Sequence, residues 1–252
     1  MVAGAAAGDA VRRARAMPSL RVGLHLVTVE EKPTLPVSEL AGLADRRGAL
    51  RVDMARFGVD LALSPRLRRR MRAEIAAQFA AYRATGLPLD HVNAHKHFHL
   101  HPAIADAIFD IGEGFGMRAM RVPYEPSDIL TAAEGGKEPG FSLTAFVATL
   151  SARRLLRRAR RQGLVVPDAV FGLRWSGAMT RERLGSLLRV LPAGLVEIYT
   201  HPATTDDFPG HAPGYRYAAE LEALTDQAVA DAVHRSAFRL GGFADAVVAA
   251  KV

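Results

Sequence analysis

The stretch LDHVNAHKHFHLHPAIADAIFDIGEGFGMRAMRV, residues 89–122, decides how the fold is read. Leu89 to His95 has the composition of a short strand, and Pro102 sits where the first turn of a helix accepts it. That helix runs to about Glu113, and Met117 to Val122 returns as a strand. A strand, a helix and a strand in about thirty residues make a β-α-β unit, and such a unit implies parallel pairing.

The same rhythm extends in both directions. Upstream, Arg21 to Val29 reads as a buried strand carrying His25, and Ala5 to Ala16 as a surface helix. Pro33 to Pro65 reads as a long irregular loop. The helix from Pro65 to Thr85 is the clearest in the chain, because Leu67, Met71, Ile75, Phe79 and Tyr82 recur every three or four residues. Downstream, helices are expected at Ser142–Gln162, Thr180–Val190 and Glu220–Ala237, with strands at Ala169–Leu173 and Leu195–Thr200. The alternation argues for an α/β fold with a parallel sheet or barrel, formed by one domain over residues 1–252.

Nine histidines occur, and five of them fall between His91 and His101. On a strand, side chains two apart share a face, so His95, His97, His99 and His101 are expected to point together. Two such rings can converge on one cation at about 2.0–2.2 Å, although the ends of the run are too far apart to share a site. A lone histidine is more often structural than a ligand, whereas four at strand spacing point to metal binding or catalysis. His101, just ahead of Pro102, is the expected bystander. His25 and His201 stand at two other strand ends, where active sites of parallel α/β proteins gather.

Composition limits the alternatives. With 252 residues, 49% hydrophobic and 23% charged, the chain can form a sizeable core, and no apolar run reaches the roughly 18 residues of a membrane span. Without cysteine there are no disulfides or thiolate ligands, so any metal is held by His, Asp or Glu, and a reducing cytoplasmic location fits. The net charge of +7 would suit an acidic partner, yet only four of the 33 basic residues are Lys, a bias that argues against nucleic acid as the partner.

Gly23-Leu24-His25-Leu26, the run His91 to Pro102, Phe171-Gly172 with Ser176-Gly177, and Glu197 to Ala203 together resemble the YdjC-like carbohydrate deacetylases, in particular the hopanoid-biosynthesis-associated branch called HpnK. The resemblance spans nearly the whole chain. It implies a deformed (β/α) barrel related to polysaccharide deacetylases, and hydrolysis of the N-acetyl group of an amino sugar with one divalent metal ion. Position by position, it implies His25 and His95 as metal ligands and His201 as the acid that protonates the leaving amine. His97 and His99 would line the pocket. The branch implies a lipid-linked N-acetylglucosamine substrate, a hopanoid polyol bearing the sugar. Histidine with carboxylate ligands suits zinc, and a site richer in oxygen suits magnesium.

One departure from the family pattern stands out. An Asp-Asp-Phe-Gly motif that supplies the base and a third ligand is not found, and Met1 falls about forty residues into the pattern, the length of a common strand plus helix. The expectation is that the first strand is missing. The edge so exposed would favour a homodimer, and the chain as written would be an impaired enzyme or a metal- or sugar-binding remnant.

Three further features have functional readings beside plain ones. Arg121 could stabilise an oxyanion or form a structural ion pair. The loop from Thr204 to Tyr217 could be a lid that brings Asp207 and Tyr215 to sugar hydroxyls, or a simple connection. The helix Ser142–Gln162 begins with Leu143, Phe146, Val147 and Leu150 and ends in six arginines. This suits either a solvated helix end or peripheral contact with an anionic inner membrane.

Overall fold

Helices and three-residue strands alternate along the chain in the computed structural model, which describes residues 1–136 and 142–249. In order they are α1 (Ala7–Ala16), β1 (Leu24–Leu26), α2 (Met54–Leu63), α3 (Pro65–Ala84), β2 (Val92–Ala94), α4 (Pro102–Gly114) and α5 (Ser127–Ala133). There follow α6 (Leu143–Arg161), β3 (Ala169–Phe171), α7 (Arg181–Leu188), β4 (Val196–Ile198), α8 (Tyr217–Thr225), α9 (Gln227–Arg235) and α10 (Phe243–Ala249). The fold is α/β, and both strand pairs, β1 with β2 and β3 with β4, are parallel, as the deformed-barrel expectation requires. The chain divides into two units, the first formed by Met1–Arg121, Ser151–Val166 and the residues from Gly241 onward, the second by Val122–Leu150 and Pro167–Leu240.

In the first unit β1 and β2 pair with His25 opposite Asn93. Among the described residues the sheet continues only through single bridges, Val92 to Met120 and Ala119 to Val165, so the strand expected at Met117–Val122 is reduced to two pairing residues. Leu24, Leu26 and Val92 are buried, as parallel strands covered by helices must be.

Helix α3 supplies much of that cover. Ser64 caps it by accepting from the Leu67 N–H at 3.3 Å, and Pro65 occupies its first turn. Met71, Ile75 and Phe79 are buried at helical spacing, each stabilising the core by about 1.5–3 kcal/mol. Two polar residues share this face. The Gln78 amide donates to Val27 O at 2.6 Å and accepts from Val27 N at 2.8 Å, standing in for a neighbouring strand just past β1. Buried Glu74 accepts from the N–H groups of Thr34 and Leu35 at 2.7 and 2.9 Å and so fixes the loop that starts at Pro33.

That loop is shorter than the sequence suggests. Helix α2 occupies Met54–Leu63, capped by Asp53 accepting from Arg56 N at 3.0 Å, with Phe57 and Leu61 buried one turn apart.

In the second unit β3 packs into a core of Leu130, Phe171, Trp175, Met179, Leu184 and Leu187. Trp175 is a core residue whose Nε1–H donates to Glu134 at 2.9 Å. The helix expected at Glu220–Ala237 is broken. Asp226 is extended (φ −69, ψ 129), accepts from Val229 N at 3.0 Å and starts α9 afresh.

Candidate active site

The pairing of β1 with β2 places His25 and Asn93 side by side on one face of the sheet, since residues in register on neighbouring strands share a face. His25 Nδ1 lies 2.6 Å from Asn93 Oδ1. An amide oxygen only accepts, so Nδ1 carries the proton and Nε2 keeps its lone pair. Burial, the largest cause, lowers the pKa of His25 to about 3, which leaves the ring neutral near pH 7. Neutral imidazole is the form that binds a metal ion.

Beyond Ala94 the chain does not continue as a strand. His95–Leu100 is a 3-10 turn with a kink in which Lys96 (φ 52) and His97 (φ 53) are both left-handed. Two such residues in succession without glycine are uncommon, and backbone strain of this kind concentrates at functional sites. The expected imidazole face of His95, His97, His99 and His101 therefore does not form, because the two-residue alternation it needs ends at Ala94.

Each ring goes its own way. His95 turns edge-on to His25, with centroids 5.8 Å apart and planes at 76°. Its Nε2 lies 3.1 Å from Glu30 Oε2, which also lies 3.5 Å from Lys96 Nζ. Glu30 is itself left-handed, with φ 68. His99 is fully buried, and its Nε2–H donates to Arg121 O at 3.0 Å while Nδ1 has no hydrogen-bond partner among the described residues. Burial lowers its pKa to about 3. His97 stands near it, centroids 6.1 Å apart, and the half-buried Arg121 contributes its carbonyl to this group. His101 is the bystander: its Nδ1 accepts from Ala103 N at 3.2 Å to cap α4, and Nε2–H donates to Gly58 O at 3.0 Å.

Sequence reasoning missed Asn93 and Glu30. Asn93 was legible, since His91, Asn93 and His95 alternate across β2 in the way wrongly extended to His97 and beyond. No local signal marks Glu30, whose place follows from the loop after β1.

A divalent cation would find two imidazoles here, His25 and His95, and no three His, Asp or Glu side chains converge as a metal-binding group among the described residues. The donors fit such an ion in chemistry: His25 is neutral, with its tautomer set by Asn93. The Glu30 carboxylate similarly fixes His95 by accepting from Nε2–H.

In the second unit His201 follows β4, and its N–H donates to the buried carboxylate of Glu220, which also accepts from Met179 N at 2.9 Å. Its ring packs against Tyr215 at 5.1 Å and Tyr199 at 5.5 Å. Tyr215 shares a hydrogen bond of 2.7 Å with Ser176. Gly177, at φ +71, leaves room for this ring, since a Cβ there would lie 2.1 Å from Tyr215 Cγ. Asp207 is separate: its side chain is 97% exposed, 3.7 Å from His211. Glu125 accepts from the N–H groups of Gly172, Leu173 and Arg174 at 2.9–3.0 Å and holds the loop after β3, and burial raises its pKa.

An α/β chain that brings one histidine on a parallel strand up to another just past the neighbouring strand has known relatives. The profile of the YdjC-like protein family matches residues 1–235, and the chain belongs to that family. Among its relatives are carbohydrate deacetylases of Thermoanaerobacter pseudethanolicus, 22% identical over 88% of this chain and 76% of the relative, and of Brevibacillus brevis, 26% identical over 94% and 82%. The mouse carbohydrate deacetylase is 31% identical over 80% of this chain and 67% of its own. The fold is shared with the crystal structure of an Enterococcus faecalis protein described as a cellobiose-phosphate cleavage protein, with a TM-score of 0.69 at 20% identity, covering 94% of this chain and 82% of that one.

Proposed function

We propose that this protein is a metal-dependent carbohydrate N-deacetylase, which hydrolyses an N-acetylated amino sugar to acetate and the free amine. The observation that carries the reading is the approach of His25 and His95 to 5.8 Å in a member of a family whose relatives include carbohydrate deacetylases. His25 and His95 would hold one divalent cation, zinc or magnesium, whose chemistry is to polarise the acetyl carbonyl and acidify water.

The chain's own residues do the rest. Asn93 and Glu30 orient the two imidazoles. His201 donates a proton to the sugar nitrogen as the bond from nitrogen to the acetyl carbon breaks, while the attacking water leaves its oxygen on the acetate and gives up its proton to solvent, from which His201 is reprotonated. Tyr215, packed on His201, limits the motion of that ring. His97 and Arg121 are read as pocket residues, and His99, fully buried, supports Arg121 through its carbonyl rather than facing the substrate. Asp207, on its exposed loop, is read as a partner for sugar hydroxyls.

The finer reading is a lipid-linked N-acetylglucosamine of the hopanoid type, approached at an anionic membrane surface. It is supported by the exposed apolar side chains Leu143, Phe146, Val147 and Leu150 on the same helix as six arginines from Arg153 to Arg161. No helix among the described residues is long and apolar enough to cross a membrane.

Acetate release from an N-acetylglucosaminyl lipid and from N,N′-diacetylchitobiose, before and after chelation and with zinc restored, tests both levels. Release from the lipid substrate that chelation abolishes is expected. Sugar or metal binding without acetate release from either substrate would leave a non-catalytic binding protein instead.

A further inference from the structure

The hydrogen bond that orients His25 is the last link of a longer chain. It begins at the buried carboxylate of Asp90, which accepts from Phe243 N at 3.2 Å and Ala244 N at 2.9 Å and lies 2.8 Å from His91 Nδ1. His91 Nε2 lies 3.3 Å from Asn93 Nδ2, and Asn93 Oδ1 lies 2.6 Å from His25 Nδ1. Each link sets the polarity of the next. The carboxylate only accepts, so His91 donates from Nδ1, and at Nε2 it faces the Asn93 amide nitrogen, which only donates and so meets a lone pair there. The Asn93 NH2 group satisfies that lone pair, which turns the amide oxygen toward His25 and leaves it no partner but an N–H.

The His91 ring is held for this role by sterics as well as by hydrogen bonds. It stacks on Phe243 with centroids 4.4 Å apart, and a Cβ on Gly23 would come within 2.6–2.7 Å of three of its atoms. The backbone two residues before His25 is thus shaped around the His91 imidazole.

We propose that Asp90, His91 and Asn93 are positioning residues that hold His25 in the tautomer protonated at Nδ1, so that Nε2 is the nitrogen presented to an electron-pair acceptor. The acceptor's identity as a divalent cation rests on the function proposed above. The tautomer does not. Neutral Asn93 between two imidazoles fixes the proton's position without adding charge to the site.

Two-bond 1H–15N correlation spectra of the metal-free protein at pH 7 read the tautomer directly, with the His25 resonance assigned by loss in His25→Gln. The expected wild-type pattern is Nδ1–H. Asn93→Asp retains it, because a carboxylate accepts from the same N–H, whereas Asn93→Ala and the ring-conserving His91→Phe give mixed tautomers. Zinc affinity by calorimetry is expected to fall about 10–100-fold in Asn93→Ala and to stay near wild type in Asn93→Asp. Nε2–H at His25 in the wild type, from a chain running in the opposite sense, would overturn the proposal. So would an unchanged tautomer in both Asn93→Ala and His91→Phe. Nδ1–H in a wild type that binds no zinc would sustain the positioning chain and refute the metal reading alone.

Discussion

His95 meets His25 edge-on, with ring centroids 5.8 Å apart and planes at 76°, although one lies in the middle of β1 and the other just past the end of β2. Parallel pairing sets His25 opposite Asn93, and the kink at Lys96 ends the strand direction directly after His95. The chemistry proposed for the first unit depends on that local arrangement.

His201 is assigned the proton donated to the leaving amine. His201→Gln keeps a side-chain amide of similar reach and removes the acid. Acetate release is expected to fall about 10²–10⁴-fold in kcat while zinc stoichiometry is unchanged. A variant that keeps wild-type turnover would remove His201 from the reaction.

Gly177 gives a second handle on the same side chain. Alanine there meets both a left-handed backbone and the Tyr215 ring. Gly177→Ala is expected to cost about 1–3 kcal/mol, to loosen the Tyr215–Ser176 hydrogen bond and to lower kcat without changing zinc affinity. Thermal unfolding and calorimetry check the two halves of this statement.

His101 should behave as a structural residue. Its Nδ1 caps α4, so His101→Ala is expected to lower the unfolding free energy by about 1 kcal/mol in urea titrations. Zinc affinity and turnover at saturating substrate should match wild type. A large loss of metal binding would place His101 in the site after all.

Acid should destabilise the fold through its buried imidazoles. His99 and His25, both lowered to about 3 by burial, stay neutral in the native state while the unfolded chain takes up protons near pH 6.5. The unfolded state therefore binds more protons between about pH 6.5 and 3, and stability falls as pH falls through that window. The slope is about 1.4 kcal/mol per pH unit for each fully titrated ring. Urea midpoints of the metal-free protein at pH 7, 5 and 4 check this, and a flat profile would contradict the burial of these rings.

Much of the fold was readable where local signals agree. Ser64, Pro65 and the spacing of Met71, Ile75 and Phe79 mark α3 by cap, first turn and buried stripe together. Helix α2 carried similar marks in Asp53, Phe57 and Leu61, hidden within a segment bounded by prolines. Asp226 was a legible start signal read as helix interior. The strands were found in place but overlong, because a parallel ladder of three residues leaves little pattern in sequence. For the site, His25 and His95 were legible from histidines near strand ends. The left-handed turn at Lys96 and His97 was not, since no glycine announces it, and so the rings of His99 and His101 were given directions the backbone does not allow. Glu30 and the Asp90–His91–Asn93 chain depend on tertiary register and had no motif to mark them.

Zinc titration of the metal-free protein, with His25→Ala and His95→Ala beside it, tests the central claim most directly. The account predicts one equivalent bound by the wild type and a loss of affinity of at least about 100-fold in either variant, beyond what removal of a supporting residue costs. Zinc bound equally well by wild type and both variants would contradict it.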